Sequence, residues 1–239
     1  MLKDSEVQRI LAVMAHPDDA DFGAAGTIAR WTDEGIEVTY CLVTDGDAGG
    51  FDRSVARTDI PEIRRTEQRN AAKAVGVEDV RFLGYPDGRL ELTLDLRRDI
   101  SRVIRQVRPQ RVLTQSPERN WARIQASHPD HLTTGEAALR AIYPDSRNPF
   151  AFPELLADEG LEPWEVAEVW VMAHPAPNHH VDVTDTFDRK IAALRAHVSQ
   201  TAHMDDLEIW LRERLGQIAT EAGLPAGHLA EAFAVYSTA

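Results

Sequence analysis

Short, almost wholly apolar runs alternate along this chain with segments whose apolar positions recur every three or four residues. Ile10-Leu-Ala-Val-Met-Ala15 and Val38-Thr-Tyr-Cys-Leu-Val43 have the pattern of strands buried on both faces. Between them, Phe22 to Glu34 has helical spacing and runs into Gly35, a natural stop. The same reading predicts helices over Pro61–Val75, Leu94–Val107 and His131–Ile142, and strands over Val80–Leu83, Arg111–Thr114 and Glu168–Ala173. Residues 115–130 are polar and contain Pro117, Trp121 and Pro129, which predicts a long ordered loop. From Thr186 onward the chain is expected to be mainly helical. Alternation of this kind predicts an α/β fold, a Rossmann-like, mostly parallel sheet flanked by helices, with its site at the C-terminal ends of the strands. No repeat or low-complexity segment divides the chain. Residues 1–239 are therefore read as a single domain, with the C-terminal part, about 175–239, packing over the site.

Composition narrows the function classes. The 239 residues, 43% of them hydrophobic, suffice for one sizeable core. Lys and Arg number 26 against 39 Asp and Glu, a formal net charge of −13. That balance argues against nucleic acid and against an anionic membrane surface, both of which need a basic face. No stretch approaches the roughly 20 apolar residues of a membrane span, and the first ten residues lack the pattern of a secretory signal, so a cytoplasmic protein is expected. Cys41, the only cysteine, lies within the second apolar run and is read as a core thiol rather than a nucleophile.

Two polar clusters stand where strands give way to helices. The first is Ala15-His-Pro-Asp-Asp-Ala-Asp-Phe-Gly23, the second Ser127-His-Pro-Asp-His131. Asp or Ser ahead of a helix is often an N-cap, and Pro suits the first helical position, so capping could account for either cluster alone. A cap needs one side chain, however, and both clusters combine His with Asp. Catalytic zinc usually takes three ligands of these types and keeps a fourth position open.

The first cluster, with Gly26-Thr-Ile28 close behind it, resembles the opening motif of the PIG-L/LmbE-like zinc deacetylases, and His128-Pro-Asp-His131 resembles that family's second motif. Weaker echoes are Thr44-Asp-Gly-Asp-Ala-Gly49, Arg64-x-x-Glu67, Val181-Asp-Val-Thr184 and His197-x-Ser-Gln200, so that the resemblance spans roughly residues 10–200. It implies His16, Asp19 and His131 as ligands of one Zn²⁺ per chain, although such a set also accepts other divalent metals. It implies Asp18 as general base, and His128 as the imidazole that stabilises the oxyanion or protonates the leaving amine. Asp21 stands where the family often has Glu, and its role is open, as are those of His174, His179 and His180.

The expected reaction is hydrolysis of a linear amide, the deacetylation of an N-acetylated glucosamine-type sugar or sugar conjugate. Asp47, Arg64 and Asp87, in or just after the loops that follow strands, are the candidate contacts to a hydroxyl-rich substrate, with Asp45 beside them. Turn chemistry is the plain alternative for Asp45 and Asp87, each of which precedes a Gly. The expected partner is a small sugar-type molecule, and self-association is left open. Two other readings remain: an amidase of the same fold acting on a thiol-sugar conjugate or glycopeptide acyl group, and a non-catalytic sugar-binding module. A serine hydrolase is set aside, because no G-x-S-x-G elbow is present.

Overall fold

The computed structural model describes residues 1–238. Strands β1 (Arg9–Met14), β2 (Glu37–Thr44), β3 (Asp79–Tyr85), β4 (Arg111–Gln115) and β5 (Glu168–Met172) run parallel in the spatial order β3-β2-β1-β4-β5. The crossovers are made by α1 (Asp19–Asp33), α2 (Ile60–Ala74), α3 (Leu94–Val107) and α4 (Pro129–Arg140), with the short α5 (Pro153–Ala157) ahead of β5. Period-two alternation divides the core between the two faces of the sheet. Ile10, Ala12 and Met14 of β1, with Tyr40 and Leu42 of β2, pack towards Ile28 and Trp31 of α1 and Ala71 and Ala72 of α2. Leu11 and Val13, with Cys41 and Val43, pack against Ile100, Val103 and Ile104 of α3 and Ala137 and Ala138 of α4. Thr93 caps α3 by accepting the Leu96 amide at 3.1 Å.

The tail from Thr186 onward is mainly helical, as expected, but it ends on a strand that was not. After β6 (His179–Asp182) come α6 (Phe187–Ala196), α7 (Val198–Thr201) and α8 (Leu207–Glu221), but the chain then returns as β7 (Ala230–Ser237), inserted antiparallel between β5 and β6. Ala230-Glu-Ala-Phe-Ala-Val carries little β-propensity of its own. The free edge of β5 supplies the ladder, so a distant partner decides what local preference leaves undecided.

The direction in which successive strands are added across the sheet reverses at β1: β2 and β3 lie to one side of it, β4 and β5 to the other. Ligand sites in open α/β sheets fall in the crevice at such a switch point. Here the exit of β1 is pinned from both sides. Gln115 of β4 accepts the Ala15 amide at 2.9 Å, and the Thr44 hydroxyl of β2 donates to the Ala15 carbonyl at 2.9 Å.

Candidate metal centre

His16 to Asp19 form the turn from β1 into α1, and Asp18 sits there at φ +96°, in the left-handed region that side chains seldom occupy. Polar contacts hold it. Its amide donates to Gln68 Oε1 at 2.8 Å, and Arg64 Nη2 donates to its carboxylate at 3.0 Å and to the Pro17 carbonyl at 2.5 Å. Asp19, the first residue of α1, accepts the His16 amide through Oδ2 at 2.7 Å. Across the crevice His128 caps α4, its Nδ1 accepting the Asp130 amide at 3.2 Å, with Pro129 in the first turn. The second cluster thus caps its helix, but through the His128 ring rather than the Asp or Ser expected, which leaves the Asp130 and His131 side chains for other contacts.

The two clusters meet. His16 Nδ1 lies 3.2 Å from His131 Nε2 and 3.4 Å from Asp19 Oδ2, while His131 Nε2 lies 3.0 Å from Asp19 Oδ1. Donor atoms spaced by the edge of a tetrahedron with bonds of ~2.0–2.1 Å would be roughly 3.3 Å apart, so the two ring nitrogens, with the Asp19 carboxylate turned to one by Oδ2 and to the other by Oδ1, fit a small divalent cation such as zinc. The opposite ring nitrogens support the fit. His16 Nε2 donates towards Asp87 Oδ1 at 3.0 Å and Asp130 Oδ2 at 3.2 Å, and His131 Nδ1 towards the Ala126 carbonyl at 3.3 Å. Each ring is therefore held with its other nitrogen facing the cluster, the arrangement usual for ligating histidines.

Electrostatics point the same way. Burial disfavours a charged His16, but Asp130, Asp19 and Asp87 outweigh it and push the imidazole up to about 12. His131 is likewise raised against burial by Asp19. Carboxylates thus dominate this crevice and attract positive charge. Burial pushes Asp18 up to about 6, with Arg64 pulling against it. Burial, with the neighbouring His16 and His131, pulls His128 below its ordinary value, so it is a neutral ring. Because Nδ1 of that ring accepts the Asp130 amide, its proton resides on Nε2.

The remaining sequence candidates divide. Asp87 belongs to the cluster through His16, whereas Asp47 stands one layer behind, accepting the Asp87 amide at 2.9 Å and pairing with Arg57 at 2.7 Å. Arg64 is buried against Asp18 and the Gly46 carbonyl, and Asp45 is paired with Arg65. Asp21 is fully buried and takes His197 Nε2 and Gln68 Nε2, both at 2.8 Å. His179 packs on Trp170, and both it and His180 lie on β6 at the far edge of the sheet. His174 is near Glu118.

Four participants were not anticipated. Asp130 accepts the Gly88 amide at 2.7 Å as well as His16, and its place inside the His-Pro-Asp-His motif was the available signal. Gln68, which ties Asp18 to Asp21, carries no motif. Neither does the buried pair Lys190–Glu231, at 2.7 Å, which braces the first half of α1.

Residues 11–142, more than half of the chain, match the PIG-L family model, described as GlcNAc-PI de-N-acetylase. The chain belongs to the PIG-L family. A PIG-L-type relative, the diacetylchitobiose deacetylase of Thermococcus kodakarensis, is 34% identical over 94% of this chain and 81% of its own length. A probable N-acetyl-alpha-D-glucosaminyl L-malate deacetylase 2 of Bacillus cereus is 35% identical over 82% of this chain and 86% of its own. Among solved structures, N,N'-diacetylchitobiose deacetylase from Pyrococcus horikoshii superposes with a TM-score of 0.87 at 30% identity, covering 97% of this chain and 85% of that one. The PIG-L assignment thus agrees with the fold, and the family motifs coincide with the crevice at the switch point. Among the described residues no helix is long and apolar enough to cross a membrane.

Proposed function

We propose that this PIG-L protein is a zinc-dependent deacetylase that hydrolyses the acetamide of an N-acetylated glucosamine-type sugar or sugar conjugate. The observation that carries the reading is the convergence of His16 Nδ1, His131 Nε2 and the Asp19 carboxylate, each ring with its second nitrogen bonded to an acceptor. The names of its relatives, deacetylases of N-acetylglucosamine-type compounds, support the substrate class.

His16, Asp19 and His131 would hold the ion. A divalent cation there supplies Lewis acidity, which brings the pKa of water down towards ~7 and polarises the acyl oxygen. Asp18, with its pKa near neutrality, takes the proton of the attacking water and later delivers it to the departing amine. Arg64 orients the carboxylate for that transfer. His128, neutral and with its proton on Nε2, donates to the developing oxyanion, a role its tautomer favours over acid catalysis. Asp87 and Asp130 fix the His16 ring, and Asp47 fixes Asp87. We read residues 1–239 as one deacetylase domain, with the part from about 175 onward closing it over the site. This is supported by β6 and β7 extending the same sheet and by Ser199 of α7, which donates to the buried Glu67 of α2 through both its amide and its hydroxyl.

The test is metal content by mass spectrometry on the wild type and His131→Ala, with free-amine release from N-acetylglucosamine conjugates. The expected result is about one zinc per chain, lost in the variant together with amine release. Protein supplied with zinc that binds none would refute the proposal. Zinc retention without amine release would refute the deacetylation and redirect the search to other amides.

A further inference from the structure

We propose that Gln68 is a positioning residue for the general base: it holds the backbone turn that presents Asp18 to the metal centre, and the buried Asp21–His197 pair orients the Gln68 amide for that task. This rests on the deacetylase reading above. Arg64 and Gln68 stand one turn apart on α2 and so share a face. Both reach Asp18, but by different handles. Arg64 donates to its carboxylate at 3.0 Å, whereas Gln68 Oε1 accepts its backbone amide at 2.8 Å.

The turn needs that second handle. At φ +96° an L-residue is strained, and such a conformation persists only where its surroundings fix it. The Asp18 carbonyl is fixed by α1, since it accepts the amides of Asp21 and Phe22 at 2.9 Å each. The Asp18 amide precedes the helix and is fixed by Gln68 instead. Without Gln68 the turn can relax about φ, and the carboxylate moves with it. A base must lie within hydrogen-bonding reach of the water it deprotonates, and a displacement of about 1 Å costs on the order of 10²-fold in rate.

The fully buried Gln68 amide fits only one way round, because its two ends meet groups of opposite demand. The Asp18 N–H can only donate and requires the oxygen. The Asp21 carboxylate can only accept and requires Nε2, which lies 2.8 Å from its Oδ2. The reverse orientation would oppose two donors at one end and two acceptors at the other. Asp21 is held in turn, since the same Oδ2 accepts His197 Nε2 at 2.8 Å. Asp21 and His197 have no solvent contact and lie 176 residues apart. The C-terminal part of the chain thus reaches the base through His197, which stands between α6 and α7. Asp21 belongs to the first polar cluster without facing the metal centre, and orienting Gln68 gives it a task there.

The experiment is amine release from N,N'-diacetylchitobiose by zinc-loaded wild type, Asp18→Asn, Gln68→Met and their double variant, with amide hydrogen exchange read by NMR on the zinc-free wild type and Gln68→Met. Gln68→Met is expected to lose about 10- to 100-fold in kcat, with KM within about threefold and zinc content unchanged. Because Gln68 acts through Asp18, adding Gln68→Met to Asp18→Asn should slow it by less than about twofold more. The Asp18 amide should exchange at least about 10-fold faster in Gln68→Met. A lowered Tm with kcat unmoved, losses that multiply in the double variant, or unchanged exchange would each overturn the proposal. If Gln68→Met does not fold, Gln68→Glu keeps the side chain's shape but sets a carboxylate against Asp21, and kcat should fall likewise. Adding Asp21→Asn restores a donor opposite an acceptor and should return kcat to within about fivefold of wild type; no recovery would overturn the orienting role. Asp18→Asn slow beside Gln68→Met at full rate would sink this inference alone, whereas Asp18→Asn at full rate would sink the base assignment and this inference with it. Were the wild type to release no amine, the deacetylase reading would fail, and exchange at Asp18 would still decide whether Gln68 holds it.

Discussion

Lys190→Met tests how the C-terminal part of the chain supports the metal loop. Lys190 and Glu231 are essentially without solvent contact, and they bridge α6 and β7 to α1. All three protons of the ammonium are used, on the Asp21 carbonyl at 2.9 Å, the Phe22 carbonyl at 2.8 Å and Glu231 Oε1 at 2.7 Å. Glu231 in turn accepts the amides of Gly26 and Thr27 at 3.1 and 2.8 Å. Methionine matches the lysine in length but leaves Glu231 as an unpaired buried charge, a loss of about 3–5 kcal/mol. In a domain of this size that corresponds to a fall in Tm of roughly 6–20 °C. Glu231→Gln should cost a similar amount, for the converse reason. The double variant buries no uncompensated charge and should lose clearly less than the sum of the singles, by about 2 kcal/mol or more. Urea unfolding of the four proteins of the cycle gives the coupling directly. The braced turn carries Asp19, so zinc affinity of Lys190→Met, measured by chelator competition, should fall as well. Single variants that cost less than about 1 kcal/mol, or that add without coupling, would refute the reasoning.

Asp18→Asn should keep its zinc and lose about 10²- to 10⁴-fold in amine release. Because burial raises Asp18 to about 6, the base is lost by protonation below that pH, and wild-type kcat/KM should fall on its acid side near pH 6; a flat profile from pH 5 to 8 would contradict the assignment. Gly135→Ala should destabilise the fold by about 1–3 kcal/mol and weaken zinc binding, read by thermal unfolding and metal content, since a Cβ there would overlap the Gln115 carbonyl and force α4, with His131, off the sheet. Cys41 should resist thiol reagents at pH 8 until the protein unfolds, because burial pushes its thiol up to about 12. That pKa is raised above its unfolded value of about 8.5, so the stabilisation it reflects is complete below that pH and is lost as pH climbs towards 12, a trend that alkaline urea titrations would reveal.

The parallel half of the sheet was readable from the chain because each strand and helix has a local signature. β1 and β2 are apolar runs, and the helix expected over Leu94–Val107, ahead of Pro109, has those same limits in the structure. The helix expected from His131 starts two residues earlier, because the His128 ring caps it and Pro129 suits its first turn. β6 and β7 were not readable, since Ala230 to Ser237 becomes a strand only against the open edges of β5 and β6.

The candidate site divides along the same line. The residue types and spacing of Ala15-His-Pro-Asp-Asp19 and His128-Pro-Asp-His131 were enough to nominate His16, Asp19 and His131, because a ligand set must be spelled in particular side chains. That these groups lie 3.0–3.4 Å apart depends on the reversal of strand order at β1, which places the ends of β1 and β4 side by side. The supporting residues were invisible for a related reason. Gln68, Lys190 and Glu231 act through hydrogen bonds that join positions 41 to 205 residues apart, and nothing local distinguishes such a residue from an ordinary polar one. Sequence by itself determined the strand and helix pattern and the chemical identity of the ligand set, since both are written in neighbouring residues. Tertiary structure alone decided the antiparallel edge, the orientations of the His16, His128 and His131 rings and the hold on Asp18, because each depends on a partner that only folding brings within hydrogen-bonding distance.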